Sequence, residues 1–137
     1  VNLSNRYEVE SYAKMLGVKV HGFGDLINLV KTRFTSLEAK IAGIKIALAY
    51  RRPLYFEKRS IAEAEEAFNA IYKTRKFHRE IIDADKGYSR MTPDSPGTDV
   101  LKPMQDYLVH LAIVEAEKRG LSIQIHTGLH ARAARAR

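Results

Sequence analysis

The sequence predicts an α/β fold, helix-rich, with two short parallel strands joined through helices. Three observations carry this expectation. The apolar runs "IKIALAY" (Ile44–Tyr50) and "LSIQIH" (Leu121–His126) each follow a glycine and have the length of a strand. The stretches before and between them repeat apolar residues at spacings of three and four, the period of an amphipathic helix. Strands that alternate with such helices lie parallel, because the intervening helix returns the chain to the same end of the sheet.

The elements follow in order. "YEVESYAKMLG" reads as a short helix with Gly17 at its C-terminal cap. From Asp25 a second helix runs to about Ala42, with Leu26, Leu29, Val30, Phe34, Leu37 and Ile41 as its apolar stripe and Gly43 closing it. Ile44–Tyr50 then reads as a strand buried on both faces, since such strands lose polar alternation. Ser60 begins the next helix, with Glu63 three residues on to complete a capping box. Ile61, Ala64, Phe68 and Ile71 mark its inner side, and it fades near Glu80. The 17 residues from Asp83 to Asp99 are rich in Gly, Pro, Asp and Ser and read as a long loop. Pro103 suits the first turn of a last helix, whose stripe is Met104, Leu108, Leu111 and Ala112 and which Gly120 ends. Leu121–His126 follows as the second strand.

Residues 1–130 read as one domain and residues 131–137 as a disordered Ala/Arg tail. Two strands alone make a poor parallel sheet, so the sequence reads as the middle of a larger one. Uncovered strand edges then predict self-association. The Ala/Arg alternation of the tail is what GC-rich codons give in a shifted reading frame, with a basic tail for anionic partners as the alternative. The first residue is not Met, which suggests a processed or cut start.

Composition narrows the function classes. With 45% apolar and 28% charged residues the chain is of ordinary globular type. It has no cysteine, which excludes disulfides and thiolate metal sites and fits a reducing, cytoplasmic compartment. No apolar run reaches the roughly 18 residues that a membrane span needs. Net charge is +7, from 23 basic and 16 acidic residues. The basic residues are interleaved with acids, as in "EKRSIAEAEE", where a phosphate-binding stripe would concentrate one sign, so nucleic acid is not the expected partner.

The candidate site lies at the carboxyl ends of the strands, where α/β folds bind ligands. Side chains alternate along a strand, so Ser122, Gln124 and His126 share one face and Leu121, Ile123 and Ile125 the other. His126, at the strand end, has a neutral imidazole suited to a zinc ion or to general-base work. The alternative is a histidine hydrogen-bonded at a strand end. In the first strand Lys45, Ala47, Ala49 and Arg51 share a face. Arg51 could hold a carboxylate or phosphate through its fork of donors, or be a paired structural charge. Phe77, in "YKTRKFHRE", reads as core. His21 and His110 have no partner at metal-ligand spacing, and no phosphate loop, nucleophile elbow or HExxH motif is present.

"GIKIALAYRRPLYFE" and "LKPMQDYLVHLAIVEAEKRGLSIQIHTGLH", with the helices between them, resemble the metal-dependent amidohydrolase superfamily, in particular its TIM-barrel hydrolases and decarboxylases. The resemblance implies a partial (β/α)8 barrel in which these strands are the fourth and fifth. It implies that His126 is a metal ligand and that Lys45 stands where some relatives carry a metal-bridging lysine. Gln124, Arg51 and His130 are read as substrate contacts. The implied cofactor is a divalent metal ion, zinc first, which activates a water for attack on C–N or related bonds of a small molecule. The first-strand HxH pair, the sixth-strand histidine and the eighth-strand aspartate have no counterpart, so the chain by itself is expected to be inactive. An isomerase or decarboxylase on the same scaffold, or a non-catalytic basic binding module, is the alternative.

Overall fold

The computed structural model describes residues 6–37, 40–50, 52–73 and 98–127. They form a helix-rich α/β arrangement of four helices and two parallel strands: α1 (Arg6–Met15), α2 (Phe23–Leu37), β1 (Gly43–Ile46), a 3₁₀ turn (Leu48–Tyr50), α3 (Ile61–Lys73), α4 (Thr98–Glu117) and β2 (Ser122–Ile125).

The helix ends are set by local chemistry. Gly17 takes φ +68°, and the Val18 N–H reaches back to the Ala13 carbonyl, closing α1. At the start of α2, Asp25 accepts hydrogen bonds from the backbone N–H groups of His21 and Gly22 (2.8 and 3.1 Å), two donors that the first turn leaves free. The Ser60–Glu63 box at α3 is complete in both directions: the Glu63 N–H donates to Ser60 Oγ (3.2 Å) and the Ser60 N–H to Glu63 Oε2 (2.8 Å). Gly120, at φ +62°, ends α4, and the Leu121 N–H returns to the Ala116 carbonyl (3.0 Å).

One apolar core joins α1, α2, α3 and α4. Val9, Phe23, Leu26, Leu29, Ala64, Phe68, Leu101 and Met104 are its buried members. The Phe23 ring lies 5.7 Å from Phe68 and 5.5 Å from Tyr107, both at tilted or edge-on angles that suit the ring quadrupoles. The largest shared surface is between α3 and α4.

β1 and β2 pair in parallel, with Gly43 opposite Ser122, Ile44 opposite Ile123, Lys45 opposite Gln124 and Ile46 opposite Ile125. Gly43 is required here: a Cβ on it would stand 2.6 Å from the Ser122 carbonyl oxygen.

Several sequence expectations are corrected. The first strand does not reach Tyr50; it ends at Ile46, where its only partner among the described residues also ends, and the chain turns into the 3₁₀ turn. Ile61, the first residue of α3, is 56% exposed, while Ala64 and Phe68 are buried as expected. Pro103 is not in the first turn of α4, which begins earlier, at Thr98. Glu38, Ala39, Phe77, the end of α3 near Glu80, most of the Asp83–Asp99 loop and the Ala/Arg tail lie outside the described residues.

Candidate functional site

The strand-end surface is built from the β1–β2 register. Paired residues of parallel strands share a face, so Lys45 and Gln124 stand side by side, and Ser122 lies below Gln124 on the same face. All three side chains are exposed, as is Ala47 beyond the strand. The opposite face carries Ile44, Ile46, Ile123 and Ile125, of which Ile46 is buried and Ile125 43% exposed. The ladder runs one residue beyond β2: the His126 N–H donates to the Ile46 carbonyl (2.9 Å). His126 is therefore fixed at the carboxyl end of the sheet, and it is half-buried.

Of the five residues picked out from sequence, the structure brings Lys45, Gln124 and His126 to one end of one sheet. Arg51 and His130 lie outside the described residues. Lys45 is the last residue but one of β1, opposite Gln124 and not opposite His126. Among the described residues no three His, Asp or Glu side chains come together in a way that could hold a metal ion. His110, on α4, has an Nε2 atom that is buried without a hydrogen-bond partner among the described residues.

A second polar cluster, which the sequence reading missed, lies between the segment after β1 and the first half of α4. Arg52 and Asp106 are both buried and pair at 2.6 Å. The Arg52 guanidinium also donates to the carbonyls of Pro53 (3.2 Å) and Tyr55 (3.0 Å) and to Gln105 Oε1 (3.4 Å). Asp106 accepts in turn from Lys102 Nζ (2.6 Å) and from the Glu57 N–H (3.3 Å), and Arg59 Nε lies 3.7 Å away. Lys102 and Arg59 both reach Glu57 as well, and Arg59 continues to Glu63. The Arg52 guanidinium stacks over Phe56 and Lys102 over Tyr55.

The charges in this cluster are matched. Burial pushes the Asp106 carboxyl up, but hydrogen bonds from Lys102 and Arg52 outweigh it and hold the group below its ordinary range. Glu57 is held low first by its bond from Lys102. Three cations and three carboxylates pair with one another here, and only Arg59 Nε is left buried without a hydrogen-bond partner among the described residues, so this cluster is a fastening. The sequence did carry part of the signal: Lys102 and Asp106 are four residues apart on a helix, the spacing at which opposite charges meet. Nothing local marked Arg52, and not its neighbour Arg51, as the buried partner.

Compared with known proteins, the chain matches no family model, no curated protein and no solved structure. Among the described residues no helix is long and apolar enough to cross a membrane.

Proposed function

We propose that this chain is part of a metal-dependent, amidohydrolase-type enzyme of the cytoplasm, acting on C–N or related bonds of a small molecule. In this reading β1 and β2 are two adjacent strands of a larger (β/α)8 barrel. The observation that carries it is the parallel register, which gathers Lys45, Gln124 and His126 at one end of two strands that α4 contacts. Ligands of barrel enzymes bind at that end. An open polar face on a parallel strand pair with a helix packed beside it is how one sector of such a barrel is expected to look.

His126 then contributes one imidazole to a divalent ion, zinc first, while Gln124, Lys45, Arg51 and His130 face the substrate. The described residues do not complete a metal site. Zinc hydrolases use three protein ligands and a water, so the chain alone is expected to bind metal weakly and to turn nothing over.

Equilibrium dialysis with zinc tests this. Submillimolar binding by the wild type that is lost in His126→Ala supports the reading. Equal binding by the two proteins overturns it, and so does RNA binding that weakens steeply with salt in place of metal binding.

A further inference from the structure

The segment that leaves β1 has no helix or strand of its own between Arg52 and Arg59, yet its backbone is held at several points. All of these points converge on one carboxylate. Arg52 clasps the Pro53 and Tyr55 carbonyls and is itself held by Asp106. The Glu57 N–H donates to the other Asp106 oxygen, and Lys102 ties the Glu57 side chain to that same oxygen. The charged groups facing Asp106 are therefore Arg52, Arg59 and Lys102, with Glu57 behind them.

Apolar burial adds little to this hold. No residue of 52–57 belongs to the core cluster or packs against it. Tyr55 is 69% exposed, and Leu54 and Phe56 are only half-buried. Segments with few buried apolar contacts open at lower free energy than the core to which they are attached.

Position gives the segment a role. Asp106 precedes the end of α4 by three turns, about 16 Å at 1.5 Å per residue. β2 then runs back about 13 Å at 3.3 Å per residue. By these lengths Asp106 is about as far from the α4–β2 joint as the end of β2 is, and the segment it holds follows the turn that leaves β1 at Ile46, the strand end at which His126 is fixed.

We propose that residues 52–57 form a strap at the carboxyl end of the sheet, latched to α4 by the Asp106 carboxylate and released as one unit while the helical core stays folded. Release changes access to the strand ends, as a loop at the binding end of an α/β fold would. The inference stands independently of the metal-site reading.

Amide hydrogen exchange on the full chain tests it. In the wild type the Glu57 amide is expected to exchange at least about tenfold faster than that of Phe68 in α3. Asp106→Asn should speed Glu57 by a further tenfold or so and Phe68 by less than about twofold. Lys102→Met, at a partly exposed position, should act in the same direction more weakly, and with the wild-type comparison it decides the matter should Asp106→Asn fail to fold. Equal exchange of Glu57 and Phe68 in the wild type overturns the proposal, as does a parallel rise of both in either variant.

Discussion

Asp106 shows how much one buried carboxylate can organise. Its two oxygens receive Arg52, Lys102 and the Glu57 N–H, so removing it strands a guanidinium that is almost fully out of water. Breaking a buried pair from one side costs about 3–5 kcal/mol, because the surviving charge has lost its partner. Asp106→Ala is therefore expected to loosen the strap by up to that amount, read as faster exchange of the Glu57 amide, while urea unfolding of the helical core shifts by less than about 0.5 kcal/mol. The double variant Arg52→Met/Asp106→Leu should cost less than Asp106→Ala alone, since no charge is left uncompensated. The pH dependence has a fixed sign. The native carboxyl titrates below the unfolded value of about 3.9, so its contribution is complete above that value and is lost as pH falls through the lower native one. Protection of the Glu57 amide should therefore be flat between about pH 6 and 8 and drop below about pH 4, less steeply in the double variant. A charge-pair contribution that changed near neutral pH would contradict the Asp106 assignment.

At the level of elements, the helix termini were legible because their chemistry is local. Ser60 and Glu63 satisfy each other within one turn, and Ser60→Ala should cost about 1 kcal/mol by thermal unfolding. Gly120 sits at φ +62°, where a side chain is strained, so Gly120→Ala should cost about 1–2 kcal/mol. That loss would fall on the joint between α4 and β2. The strands were legible only in part. "IKIALAY" announced a buried strand, but a strand extends only as far as its partner, and β2 offers Ile46 its last bond through His126. Past that point the chain is drawn toward Asp106, a pull that no pattern within the run encodes. Ile61 fits the helical stripe yet is exposed at the very start of α3, while Ala64 three residues on is buried.

On the scale of the whole molecule, two kinds of surface meet. The four helices enclose a true apolar core, and Phe68→Ala within it should cost about 3–5 kcal/mol in chemical denaturation. The two-stranded sheet beside them leaves Lys45, Ser122 and Gln124 bare on one face, and its described edges have no further strand. Open parallel edges are templates for further pairing. Light scattering on the purified chain is expected to show association that grows with protein concentration, whereas a sharp monomer at high concentration would count against it.

What the sequence determined by itself was whatever depends on neighbours along the chain: four amphipathic helices, their caps at Gly17, Ser60 and Gly120, and two short apolar runs in the order that makes a parallel pair. Side-chain alternation also told which residues of the second strand share a face, and Ser122 and Gln124 are exposed together as that rule requires. The tertiary structure alone decided the register that sets Lys45 beside Gln124, and the choice of Arg52 as the partner of Asp106. Those contacts join residues some fifty to eighty positions apart. Their energies come from burial and charge pairing between separate elements, and local periodicity contains no record of that distance.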